Sequence, residues 1–126
     1  MPTQTSSTVV KLEHQDHRGE IYSIQLPDNR ELMLLRSVAG IFRGGHSHSC
    51  DEIVALLTGK MRYHKLIAQK TIERVMKPGD VSYNPAGQIH MGEFLEESWV
   101  VEFKLAKKGE WMQENYPPFR EKVEAA

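Results

Sequence analysis

GIFRGGHSHSCDEIVALLTG, residues Gly40–Gly59, places two imidazoles and a carboxylate close together: His46, His48 and Glu52. In an extended backbone successive side chains alternate faces, so His46 and His48 point the same way, and Glu52 keeps that parity if the chain resumes as a strand. Two imidazoles and a carboxylate on one face form a spacing suited to a metal. A second turn-bounded stretch, GDVSYNPAGQIH over Gly79–His90, carries one further histidine, and the fold decides whether His90 joins the first three.

Working outward, the 126 residues fit one domain, and a hydrophobic content of 40% supports one core without disulfides. Sixteen Lys and Arg against seventeen Asp and Glu give a net charge of −1. With no basic block to neutralise a row of phosphates, no nucleic-acid partner is expected. No apolar run approaches the roughly 20 residues needed to span a bilayer, and Met1–Val10 is polar and rich in Thr and Ser, unlike a secretory signal. No membrane partner is expected, and the chain reads as soluble and cytoplasmic. Cys50, the single cysteine, forms no internal bridge, which is compatible with a reducing compartment.

Turn signals punctuate the rest. Asp16-His17-Arg18-Gly19 leads into an alternating strand, Glu20–Leu26, and Pro27-Asp28-Asn29 turns into Glu31–Ala39. That stretch is apolar on both parities and reads as a strand buried on both faces. Glu52–Thr58 and Met61–Ala68 flank Thr58-Gly59-Lys60 and read as a hairpin. Thr71–Met76, Val81–Tyr83 and Glu97–Leu105 complete a series of short strands with turns every 8–12 residues, the pattern of an all-β sandwich or barrel. On Glu97–Leu105, Trp99, Val101 and Phe103 share one face; Val100, Glu102 and Lys104 share the other, and surface exposure is expected for Glu102. Tyr116-Pro117-Pro118-Phe119 cannot be helix interior, whereas Phe119–Ala125 can form a short terminal helix.

The pattern Gly40-x5-His46-x-His48-x3-Glu52-x6-Gly59 matches the first motif of the cupin family, and Gly79-x5-Pro85-x-Gly87-x2-His90 is similar to the second, with Phe94 where an Asn is usual. The resemblance implies an all-β cupin jelly-roll barrel with a short C-terminal tail or helix. On that reading residues 1–8 form a flexible arm, residues 9–106 the barrel, and residues 107–126 a tail packing on the barrel or across a dimer. It also implies that His46, His48, Glu52 and His90 hold one divalent transition metal in the barrel mouth. Their mixed N/O donors suit Fe, Mn, Ni, Cu or Zn and leave positions open for substrate. The resemblance also implies a homodimer, as cupins often form, with Val9–Leu12 and the aromatic tail as its means.

The function expected is a metal-dependent enzyme of oxygenase or isomerase type acting on a small polar or anionic metabolite. His46, His48 and His90 are its catalytic candidates; Arg36, Arg43, Tyr63 and His64 are candidates for substrate binding. For Arg36, within an apolar strand, a structural salt bridge is the ordinary alternative. Only one of Tyr63 and His64 can face the interior, because neighbours alternate. Asp16-His17-Arg18-Gly19 together with Arg43-Gly44-Gly45-His46-Ser47-His48 is also similar to nucleotide-sugar ketoisomerases and epimerases on cupin barrels. That similarity implies a metal-free alternative with histidine as acid or base and arginines on phosphate. A non-catalytic small-ligand sensor is the third alternative.

Overall fold

The structure is a computed structural model that describes residues 10–126; the arm expected over residues 1–8 lies outside the described residues. Eleven strands and one helix follow in chain order. They are β1 (Val10–Asp16), β2 (Gly19–Leu26), β3 (Arg30–Ser37), β4 (Phe42–His48), β5 (Glu52–Thr58), β6 (Met61–Ile67), β7 (Lys70–Met76), β8 (Val81–Asn84), β9 (His90–Phe94), β10 (Ser98–Lys104), β11 (Gln113–Asn115) and α1 (Pro117–Ala125). One sheet runs β1-β2-β3-β10-β5-β8 and the other β11-β4-β9-β6-β7, each antiparallel throughout. No helix among the described residues is long and apolar enough to cross a membrane.

The sheets face each other around one core. Val54, Leu56, Met61, Met76 and Val100 meet there, none more than 2% exposed. Each such side chain contributes about 1.5–3 kcal/mol by leaving water. Inward positions alternate with outward ones, and the parity of β10 runs opposite to a simple apolar-in reading. Val100, Glu102 and Lys104 point between the sheets, while Trp99, Val101 and Phe103 form the outer face. β3 is likewise buried on one side: Leu35 and Ser37 are inside, and Leu32 and Leu34 are only half-buried.

The hairpin expected across Thr58-Gly59-Lys60 is not formed, because β5 and β6 belong to different sheets. Gly59, at φ +92, makes the corner: a Cβ there would sit 2.4 Å from the Glu97 carbonyl oxygen. The Lys60 N–H then donates to Ser98 Oγ at 3.1 Å, which ties the corner to the start of β10. The hairpin partner of β6 is β7, turned by Ala68 and Gln69 at φ +51 and +64.

α1 begins two residues before the expected Phe119, with Pro117 and Pro118 in its first turn, where backbone N–H groups have no helical acceptor to lose. Phe119 and Val123, one turn apart, bury themselves against Met91, with Phe42 and Tyr116 beside them. Tyr116, Phe119 and Val123 thus pack on the β4–β9 part of the barrel.

Candidate metal centre

Strand register assembles the centre. His46 on β4 lies directly opposite His90 on β9, so cross-strand pairing joins the two motif stretches. Between Gly44 and His46 the register slips by a bulge, with Gly44 and Gly45 at φ +92 and +79. The slip turns both Arg43 and His46 inward, although they are three residues apart. A Cβ on Gly44 would meet the His90 carbonyl oxygen at 3.2 Å and Met91 Cα at 3.4 Å, so the close approach of β4 to β9 requires glycine.

The donor atoms of His46, His48 and His90 all lie within 4.8 Å of one another. Ring centroids are separated by 4.6 Å for His46 and His48, 5.1 Å for His46 and His90, and 5.3 Å for His48 and His90. His90 Nδ1 donates to the Gln88 carbonyl at 2.9 Å, which leaves a lone pair on Nε2 facing the cluster. That Nε2 sits 3.3 Å from Glu52 Oε1, and His48 Nδ1 sits 3.6 Å from the same oxygen. A lone pair and a carboxylate oxygen at this separation call for a proton or a cation between them. The Nδ1 atoms of His46 and His48 are buried without a hydrogen-bond partner, a second sign of donors with no protein acceptor or donor to satisfy them. Neutral imidazoles beside a carboxylate fit a divalent transition metal.

Electrostatics keep the imidazoles neutral. Burial, then the neighbouring His90 and His48, push His46 down to about 2; burial and then Lys104 push His48 down to about 3. Burial lowers His90 as well. Glu52, 1% exposed, is raised by burial against the pull of Lys104. Lys104 lies opposite Glu52 in the β5–β10 register, with Nζ 3.3 Å from Oε2, an ion-pair distance whose angles fall outside hydrogen-bond geometry. Asn84, opposite Glu52 on its other side, donates from Nδ2 to Oε1 at 3.3 Å and to Tyr63 Oη at 2.7 Å.

A cavity of about 230 Å³ opens above His46 and His48. Its walls are apolar on the β2–β3 side, with Ile21, Met33 and Leu35, and polar on the other, with Glu102 and Lys104. Trp111 covers it, edge-on to His48 at 5.2 Å and beneath Lys104 Nζ at 4.7 Å. Burial and then the Glu52 carboxylate raise Glu102. Burial alone would lower Lys104, but Glu102 and Glu52 together hold it above its ordinary value.

The substrate-binding candidates divide. Tyr63 faces inward, its ring stacked 6.0 Å from His90. Arg43 also points into the barrel, donating from Nε to Ser37 Oγ at 2.7 Å, but lies deeper than the cavity, among Tyr63, His90 and Glu102. Arg36 does not reach the site. It shares the outward parity of Leu34 and is clamped by Glu20 at 2.6 and 2.7 Å. His64, next to Tyr63 and therefore on the opposite face, pairs with Glu93 at 3.1 Å beside Phe119. Glu102, Lys104 and Trp111 are site-wall residues that the sequence concealed, and Glu102 corrects the expectation of surface exposure. The available signal was two charged residues at alternate positions of β10, opposite a strand already carrying Glu52.

No protein-family model matches the sequence, and no curated protein matches it. Solved structures do match, and they show the fold: two facing antiparallel sheets form a cupin-type jelly roll. The capsular polysaccharide assembling protein CapF of Staphylococcus aureus is similar at 19% identity and a TM-score of 0.69, over 88% of this chain and 32% of that one. The 7S globulin of Momordica charantia gives 17% and 0.66, over 82% and 34%. Oxalate decarboxylase of Bacillus subtilis gives 20% and 0.61, over 84% and 30%. The chain spans about a third of the length of each.

Proposed function

We propose that this chain is a divalent-metal-dependent enzyme of the cytoplasm acting on a small polar metabolite, of oxygenase or isomerase type, with His46, His48, His90 and Glu52 as ligands. The observation that carries the reading is the convergence of three neutral imidazoles, with donor atoms within 4.8 Å, beside a buried carboxylate. A metal held there supplies a Lewis acid with positions left for a substrate oxygen. The chain's own groups supply the rest. Lys104 presents a positive charge to an anionic substrate group, and Glu102, raised above its ordinary value by burial and then by Glu52, is the carboxyl placed for proton transfer. Ile21, Met33 and Leu35 exclude water from one side, and Trp111 from above. The cavity of about 230 Å³ suits a small molecule, and the likeness to oxalate decarboxylase supports chemistry on one.

The likeness to a capsular polysaccharide assembling protein favours a second reading, metal-free acid-base isomerisation of a sugar nucleotide. It is weakened by Arg36 and Arg43, whose guanidinium groups are committed to Glu20 and Ser37. Metal analysis separates the two. Protein purified without a histidine tag is expected to hold about one equivalent of transition metal, and His90→Ala to remove most of it. Substoichiometric metal that His90→Ala leaves unchanged overturns the metal reading; a rise in melting temperature with a nucleoside diphosphate then supports the second.

A further inference from the structure

Both sheets end at the same flank of the sandwich, where β8 is the last strand of the six-stranded sheet and β7 the last of the five-stranded one. Side chains, not a strand, span the gap between them. Arg74 Nη1 on β7 donates to the Val81 carbonyl at 3.0 Å, and Lys65 Nζ on β6 donates to the Tyr83 carbonyl at 3.0 Å. In the β6–β7 register Arg74 lies opposite Tyr63 and Lys65 opposite Ile72, so all four share the inward face. They enclose, with Ser82 of β8, a cavity of about 130 Å³. It shares no lining residue with the cavity above His46 and His48.

The cavity gathers two cations with little negative charge to balance them. Lys65 makes no ion pair among the described residues, its ammonium resting 5.9 Å from the centre of the Tyr63 ring. Burial, and then the Arg74 charge, push it below its ordinary value. Asp80 comes only within 3.9 Å of Arg74 Nη2, and its Oδ2 already accepts the Lys77 N–H at 2.9 Å. Two like charges held side by side oppose folding unless an anion joins them. We propose that this cavity is a binding site for a phosphate dianion, free or as the terminal group of a phosphomonoester. Each cation commits one donor to β8, and the other donors of the ammonium and of the guanidinium fork are open to a ligand. The volume is well above the roughly 10–15 Å³ that one water needs, so a small oxyanion enters. A phosphoryl group near neutral pH carries about two negative charges and three acceptor oxygens, the complement of one ammonium and one guanidinium; a carboxylate brings half the charge. Ser82 Oγ, whose bond to Asn84 Oδ1 is long at 3.3 Å, adds a hydroxyl on the wall.

Calorimetric titration of inorganic phosphate into the protein in chelator, at constant ionic strength, tests the site independently of any metal at His46, His48 and His90. Saturable binding of about one phosphate per chain is expected, with a rise in melting temperature that chloride and acetate at the same concentration do not produce. Arg74→Gln, at a side chain 53% exposed and so harmless to folding, and Lys65→Met are each expected to weaken phosphate binding by about tenfold. Lys11→Gln, an exposed cation on β1 at the far edge of the six-stranded sheet, is expected to leave it unchanged. Methyl phosphate separates the sources: equal affinity supports a phosphomonoester, and a tenfold or greater loss supports the free anion. The inference is overturned by an absence of phosphate binding, by acetate acting as well as phosphate, or by binding that survives both Arg74→Gln and Lys65→Met.

Discussion

Lys104→Met removes the ammonium that sits against two buried carboxylates. Lys104 Nζ is 3.3 Å from Glu52 Oε2, its side chain is 12% exposed, and Glu102 lies two residues back on the same face. Methionine fills the space but leaves a carboxylate without a counter-charge, and such a group takes up a proton rather than remain charged. Neutralising a carboxyl of ordinary pKa near 4.3 costs about 1.4 kcal/mol for each pH unit above that value. Burial already raises the Glu52 carboxyl in the wild type, so part of that cost is present there too; the variant is expected to be less stable by a gap that widens with pH, from about 1 kcal/mol or less at pH 5.5 to about 2–4 at pH 7.5. The direction follows from the carboxyl's folded pKa lying above its unfolded one: its share of stability is whole below about 4.3 and is lost as pH rises. Lys104 itself stays charged across this window, since its own shift is upward. Urea unfolding of both proteins in chelator, at these three pH values and with equal slopes, reads the gap directly. A gap that is the same at all three, or below about 1 kcal/mol at pH 7.5, refutes the picture of a buried charge cluster held by one lysine.

The metal-free protein is expected to be acid-sensitive in the opposite sense. His46 and His48, held near 2 and 3, refuse protons that the unfolded chain accepts below about 6.5, so stability is full above that pH and falls beneath it. Allowing for partial solvent screening, the two together lose about 1.5–3 kcal/mol between pH 7.5 and 5.5. A flat urea midpoint over that range contradicts their burial in neutral form. Gly44→Ala forces a Cβ to 3.2 Å from the His90 carbonyl at φ +92, and is expected to cost about 1–3 kcal/mol and weaken metal retention together. Unfolding and metal analysis on one preparation check both, and an undiminished metal content counts against the close β4–β9 approach as a determinant of the site.

The ligand strands were legible in the sequence because their signals are local. Parity places His46 beside His48, and turn residues bound each stretch. Strand positions also came through, because turn chemistry is local too. Pairing partners did not. Thr58-Gly59-Lys60 has hairpin composition, but a corner between sheets uses the same residues, and only the packing of Gly59 on Glu97 and Ser98 decides. The inward face of β10 was hidden for a related reason. Apolar alternation marks the face that leaves water, and on this sheet both faces do so in part: one lines a charged cavity, the other carries half-buried apolar side chains, Trp99, Val101 and Phe103 among them. Arg43 points inward only because the Gly44–Gly45 bulge changes the parity count, and a bulge leaves no periodic trace.

The same bulge ties the centre to the order of synthesis. Gly44 gives its carbonyl to Arg120 at 2.9 Å and Gly45 gives its own to the Tyr116 N–H at 2.8 Å, while His48 pairs with Gln113 on β11. All four candidate ligands have left the ribosome once His90 has emerged, but the strand that carries two of them keeps an open edge until the 113–120 segment follows. A nascent chain paused between those points holds a complete ligand set on an unfinished sheet. Loading by metal during translation is therefore expected to be reversible until the C-terminal helix docks, and retained afterwards.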